Sequence, residues 1–213
     1  ISLLTNFDGS SLNPATSLAV GPGPSSVAIS DLDVDGNLDL VVTNGGSNDV
    51  SILMGIGGGL FDAPTSITVG ANPSDVAIMD INGDAKPDVL VTNEFSNNVS
   101  FIVNVAGKSM AFAGNFPTGT QPSSLAMGDV NGDPFADVVV ANEGDNTVSV
   151  LINDGSSGSF YPHVVYPVRA EAKSIALDDL NGDGHRDIIV GGQVQGTPSE
   201  VIYDVSVLIN NGD

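Results

Sequence analysis

Val27-Ala28-Ile29-Ser30-Asp31 recurs along the chain as Val76-Ala77-Ile78-Met79-Asp80, Leu125-Ala126-Met127-Gly128-Asp129 and Ile175-Ala176-Leu177-Asp178-Asp179. The closing aspartates stand 49, 49 and 50 residues apart. A second marker keeps the step: Val50-Ser51, Val99-Ser100, Val148-Ser149 and Val205-Ser206, with a last interval of 57. An insertion of about eight residues therefore lies between Gly191 and Asp204, and the stretch from Gln193 to Glu200 reads as a longer surface loop. Self-similarity at a fixed period of this size marks a chain built from stacked supersecondary units.

Each unit holds four short apolar runs separated by turn signals. In the first they are Val27 to Ser30, Leu38 to Thr43, Val50 to Met54 and Thr65 to Val69. All are β-branched or alternating and too short for helices. The second run, Leu40-Val41-Val42, returns as Val89-Leu90-Val91, Val138-Val139-Val140 and Ile188-Ile189-Val190. Three consecutive apolar residues predict a strand buried on both faces, between stacked sheets. Four antiparallel strands per repeat predict an all-β fold, a β-propeller with one four-stranded antiparallel blade per repeat and roughly four blades. There is no Trp, so the blades are not of the WD type.

The ends are out of phase. Ile1-Ser2-Leu3-Leu4-Thr5-Asn6 matches a third run and Leu18-Ala19-Val20 a fourth, whereas the last repeat stops at its third run, Val205 to Asn210. Leu18 to Val20 would complete the last blade and close a small ring; the alternative is an arc of a larger propeller. The lack of an initiator Met and of a signal peptide suggests a mature product or a fragment.

Composition narrows the functions. Over 213 residues, 26 Asp+Glu face 5 Lys+Arg, a formal charge of −21. Nucleic acid is a poor partner and anionic membrane surfaces are disfavoured, because both need clustered cations, so no nucleic acid and no membrane insertion are expected. No apolar run approaches a membrane span. The absence of Cys removes disulfides, thiol nucleophiles and thiolate metal sites. No phosphate-binding glycine loop and no Gly-x-Ser-x-Gly elbow is present. His163 and His185 read as surface residues, Asn98-Val99-Ser100 is a glycosylation sequon, and Tyr161, Tyr166 and Tyr203 read as packing before they read as a sugar site.

Between the first and second run of every repeat lies an acidic nonapeptide. The first is Asp31-Leu-Asp33-Val-Asp35-Gly36-Asn37-Leu-Asp39. The second is Asp80-Ile-Asn82-Gly-Asp84-Ala85-Lys86-Pro-Asp88. The third is Asp129-Val-Asn131-Gly-Asp133-Pro134-Phe135-Ala-Asp137, and the fourth Asp179-Leu-Asn181-Gly-Asp183-Gly184-His185-Arg-Asp187. Oxygen side chains fall at loop positions 1, 3, 5 and 9. Three or four carboxylates in one turn repel one another unless a cation sits among them. Hard oxygen donors select Ca²⁺, with Mg²⁺ second because it keeps its waters. Position 7 varies freely, as Asn37, Lys86, Phe135 and His185, so its contribution is the backbone carbonyl. An EF-hand is excluded, because position 12 is Val42, Val91, Val140 or Val190 where that loop needs Glu. Asp and Asn also form ordinary turns, but turn chemistry alone does not fix acids at the same positions in four copies.

These loops, with the Pro-Ser lead-ins at Pro24, Pro73 and Pro122 and the Val-Ser-x-Leu runs, resemble the calcium loops of FG-GAP or VCBS-type repeats in integrin-α-like propellers. The resemblance covers nearly the whole chain. It implies a β-propeller, commonly seven-bladed, with calcium in the first hairpin of the blade and about four ions here. There are departures: the family tags survive only as forms such as Phe61-Asp-Ala-Pro64, position 6 is Ala85 and Pro134 in two loops, and the fourth lead-in has Ala172. The expected function is a noncatalytic, calcium-binding extracellular module, secreted or at the cell surface. It would meet a protein or glycan ligand at a loop face. The alternatives are a structural subunit of a surface assembly, self-associating through terminal strands, and the propeller part of a secreted carbohydrate-active enzyme or lectin.

Overall fold

The computed structural model describes residues 1–6, 11–106, 108–155, 158–169, 171–194 and 202–212. Every regular element among them is a strand. Two short N-terminal strands, β1 (Ser2–Leu3) and β2 (Thr16–Ser17), pair with each other. The first blade comprises β3 (Pro24–Ser30), β4 (Asp39–Asn44) and β5 (Asp49–Leu53). A small hairpin of β6 (Gly55–Gly57) and β7 (Leu60–Phe61) leads to its outer strand β8 (Thr65–Thr68). The second blade is β9 (Pro73–Met79), β10 (Asp88–Asn93), β11 (Asn98–Ala106) and β12 (Ser109–Pro117). The third is β13 (Pro122–Gly128), β14 (Asp137–Asn142), β15 (Thr147–Leu151) and β16 (Val164–Pro167). The last is β17 (Ser174–Asp178), β18 (Asp187–Val194) and β19 (Ile202–Leu208).

The four sheets are antiparallel, run in simple strand order, and are arranged as the blades of a four-bladed propeller. Register repeats with the sequence: Val42 faces Ser51, Val91 faces Ser100, Val140 faces Ser149 and Val190 faces Ser206. The innermost strands β3, β9, β13 and β17 lie side by side in that order.

The second strands are the buried ones, as their unbroken apolar runs require. All of β4, β10 and β14 is buried, and their side chains fill the spaces on both sides of each blade. Val41, Val50 and Ile52 meet Val76, Val89, Val91 and Ile102 of the second blade. Leu90, Val99 and Phe101 meet Leu125, Val138, Val140 and Leu151 of the third. Each such Val or Ile contributes about 1.5–3 kcal/mol by leaving water.

The lead-in serines tie the blades at their inner edge. Ser25 Oγ donates to Pro73 O at 2.7 Å, Ser74 Oγ to Pro122 O at 2.8 Å, and Ser123 Oγ to Ala172 O at 2.7 Å. Asp75 adds a second tie, accepting from Ser26 Oγ on one side and from Ser124 Oγ and Leu125 N on the other.

The expectation that Leu18 to Val20 completes the last blade is corrected. Leu18 N donates to Ile1 O, and Ile1, Leu18 and Val20 pack on Leu40, Val42 and Leu53 of the first blade. The cause is loop closure: β1 lies close in sequence and costs less chain entropy to reach than a strand nearly the whole chain away. Among the described residues, β19 pairs only with β18. The predicted long loop after Gln193 lies largely in residues 195–201, outside those described.

Candidate metal centre

All four acidic loops leave the innermost strand and enter the buried second strand, and they share one hydrogen-bond frame. The position 9 carboxylate is the anchor. Asp39, Asp88, Asp137 and Asp187 are fully buried. One oxygen of each accepts the N–H of position 2: Leu32, Ile81, Val130 and Leu180 respectively. The other accepts an N–H from the end of the third strand: Gly55, Asn104, Asn153 and Asn210. Burial outweighs these donors at Asp88 and Asp137 and pushes both carboxyls above the usual range.

Position 1 holds the turn. In the first loop Asp31 accepts from Asp35 N and, through its second oxygen, from Gly36 N at 2.9 Å. Asp80 does the same with Asp84 N and Ala85 N, and Asp179 with Asp183 N and Gly184 N. The Gly184 N–H bond, with others from the same turn, holds Asp179 below the usual range. Positions 3 and 5 accept from the N–H two residues on, as with Asn82 to Asp84 and Asp84 to Lys86. The same position 5 bond joins Asn37 N to Asp35, Phe135 N to Asp133 and His185 N to Asp183. In the third and fourth loops the side-chain amides of Asn131 and Asn181 also donate to Asp133 and Asp183.

The first loop brings Asp31, Asp33 and Asp39 together, with carboxylate oxygens within 4.8 Å of one another. Asp35 lies outside that trio. Burial, and then the charges of Asp35 and Asp39, push Asp33 above its usual range. The donors are all hard oxygens and the like charges are uncompensated by one another, which is the chemistry a divalent cation relieves. The residues therefore fit Ca²⁺.

Four features of this centre are not read from the acidic spacing. Position 4 is left-handed in every loop, with φ of 75°, 83° and 78° at Gly83, Gly132 and Gly182, and 59° at Val34. A β-branched residue there is strained. Position 6 is also left-handed at Gly36, Ala85 and Gly184, where Pro134 cannot follow. Pro134 has no N–H, so Asp129 loses the bond that the other three position 1 carboxylates receive.

Lysines reach two loops: Lys86 Nζ lies 2.9 Å from Asp84, holding that carboxyl below its usual range, and Lys108 Nζ lies 3.9 Å from Asp33. Finally, the asparagines that end the third strands bond to the loops. Their recurrence four residues after the Val-Ser marker's serine, in Val-Ser-Phe-Ile-Val-Asn104 and in the Val-Ser-Val-Leu-Ile-Asn runs that close on Asn153 and Asn210, is the signal that marks them. Of the tyrosines, Tyr166 lines a cleft between the third and fourth blades, with Ile152, Ile188, Asn131 and Arg186. Phe116 and Phe160 pack edge to face near the core between the second and third blades.

Fold and loops together define a repeat propeller with an acidic turn in each blade. The FG-GAP-like repeat matches residues 31–91, 80–140 and 129–190, and the chain belongs to that family. Such repeats form a generally non-catalytic fold, typical of extracellular proteins. No helix among the described residues is long and apolar enough to cross a membrane. No curated protein matches the chain.

Solved structures share the fold. A functionally unknown protein from Desulfotomaculum acetoxidans aligns over 97% of this chain and 68% of its own, with a TM-score of 0.68 at 13% identity. An Agrocybe aegerita lectin described as recognising non-reducing terminal N-acetylglucosamine aligns over 99% of this chain and 60% of its own, with a TM-score of 0.57 at 18% identity. The V. cholerae biofilm matrix protein Bap1 aligns over 89% of this chain and 28% of its own, with a TM-score of 0.52 at 20% identity. This chain thus spans less than two thirds of the last two.

Proposed function

We propose that this chain is a calcium-stabilised, noncatalytic recognition module acting outside the cell. The carrying observation is the acidic loop repeated in all four blades on one hydrogen-bond frame, with oxygen donors converging in the first. Residues Asp31, Asp33, Asp35 and Asp39 would hold the ion of the first loop, with the Asn37 carbonyl. In the others the set is Asp80, Asn82, Asp84 and Asp88; Asp129, Asn131, Asp133 and Asp137; and Asp179, Asn181, Asp183 and Asp187. The carbonyls of Lys86, Phe135 and His185 complete them. Bound calcium supplies the positive charge that lets these carboxylates share one turn, and it raises stability by mass action. Millimolar extracellular calcium fills even weak sites of this type.

Rigid blades carrying exposed loops suit ligand capture. A glycan or protein ligand is supported by the two relatives whose names describe a lectin and a biofilm matrix protein. A glycan array probed with the protein in calcium and again in chelator tests this. Calcium-dependent retention of a defined glycan set supports the reading, and equal retention in chelator contradicts it.

A second reading, a subunit of a surface assembly, rests on β19. Val205 and Val207 are 60% and 46% exposed, where their repeat equivalents Val148 and Val150 are buried against the next blade. Light scattering over a concentration series separates the two readings: growth with concentration favours assembly.

A further inference from the structure

Three asparagines link the acidic loops in series. Asn104 Nδ2 donates to Leu32 O of the first loop at 2.7 Å and to Pro87 O of the second at 3.2 Å. Asn153 Nδ2 donates to Ile81 O of the second loop at 2.8 Å and to Ala136 O of the third at 3.2 Å. Asn210 Nδ2 donates to Val130 O of the third loop at 2.7 Å and to Arg186 O of the fourth at 3.3 Å. In each case the backbone N–H of the same asparagine donates to the position 9 carboxylate of its own blade, at 2.8 Å. One residue therefore grips position 2 of one loop and positions 8 and 9 of the next. Asn104 and Asn153 are buried, so neither bond competes with water.

The first blade carries Gly55 at this place and keeps only the backbone bond to Asp39. The side chains at position 2 follow the same logic. Leu32 and Ile81 are buried beneath the next blade, whereas Leu180 of the fourth loop, which no such asparagine reaches among the described residues, is 55% exposed.

Resting on the calcium reading above, we infer that Asn104, Asn153 and Asn210 are positioning residues that couple neighbouring calcium sites, so that the loops fill cooperatively. An ion that fixes a position 9 carboxylate also fixes the asparagine backbone bonded to it. The side-chain amide is then already placed for the preceding loop. That loop loses less conformational freedom when its own ion arrives, which is positive coupling without a change of fold.

The test titrates chelator-stripped protein with calcium and follows the amide NMR signals of Gly36, Gly83, Gly132 and Gly182, one in each loop. Removing the second site with Asp80→Ala should weaken calcium at the third loop, read at Gly132, by about fivefold. In an Asn153→Gly background the same Asp80→Ala change should leave the third loop's affinity unaltered. Glycine is the residue the first blade tolerates there, and Asn104→Gly, read at Gly36 with the same second-site deletion, serves if Asn153→Gly does not fold. An equal loss in both backgrounds, or no loss with Asn153 present, overturns the coupling while leaving the calcium reading intact. If no loop glycine responds to calcium in any variant, the calcium reading falls and the coupling with it. A purely structural asparagine would lower the melting temperature but leave the Asp80→Ala effect on Gly132 the same in both backgrounds.

Discussion

Replacing Pro134 by Gly should repair the third loop. In the other loops the position 6 N–H donates to the position 1 carboxylate at 2.9, 2.8 and 2.9 Å, from Gly36, Ala85 and Gly184. These residues are left-handed, with φ of 89°, 65° and 89°. Proline offers neither the donor nor the conformation. A hydrogen bond to a charged acceptor contributes about 1.5–3 kcal/mol. The loop is exposed, so the lower end applies, and the bond serves to hold Asp129 in one orientation. About 1.4 kcal/mol of such ordering is a tenfold gain in affinity. Lost proline rigidity costs about 0.4–1 kcal/mol, so stability in chelator should barely move. Calcium titration read at the Gly132 amide should show the third site tightening by up to about tenfold in Pro134→Gly, with little change at the first site, which no asparagine links directly to the third. An unchanged or weaker third site would refute the idea that the missing position 6 bond limits this loop.

Val34→Gly should raise the melting temperature in chelator. The left-handed valine costs about 1–2 kcal/mol, more than the roughly 0.5–1 kcal/mol of added unfolded-state entropy, and its exposed side chain buries little. A fall in melting temperature would contradict the strain. Asp75→Ala should destabilise by about 1–3 kcal/mol, because Ser26, Ser124 and Leu125 lose a shared acceptor between blades; chemical denaturation with an unchanged midpoint would count against that tie. The pH response should change sign with calcium. Asp33, Asp88 and Asp137 have raised folded pKa values, so in chelator their destabilisation of the fold lessens as pH falls from neutral towards the ordinary carboxylate range. The stability held by the lowered Asp84 and Asp179 is lost only at more acid pH. In calcium, protons compete with the ion for the same oxygens, and the melting temperature should fall over that range. Parallel slopes in the two conditions would refute this assignment.

The architecture is legible in the sequence because period, run length and burial have one cause. Val89-Leu90-Val91 is apolar without alternation since it is packed from both sides, and it lies buried in β10 as that pattern requires. The acidic loops are legible because their donors are side chains at fixed spacing. What the spacing conceals is the backbone and the reach of neighbours. Val34 occupies a left-handed position that glycine fills in the other loops, which is visible only by comparing the copies. Lys108 approaches Asp33 from the second blade, a contact no local pattern encodes. The asparagines at 104, 153 and 210 stand in plain sight at the ends of the third runs, but their partners are 72 to 80 residues away. The placement of Leu18 to Val20 turns on competition between two partner strands, and sequence similarity to a fourth run does not decide it.

Calorimetric titration of chelator-stripped protein with calcium tests the central claim most directly. About four sites are expected, the first loop tightest and the third weakest, with a melting temperature that rises as they fill. No binding heat, together with a melting temperature the same in calcium and in chelator, would contradict the account.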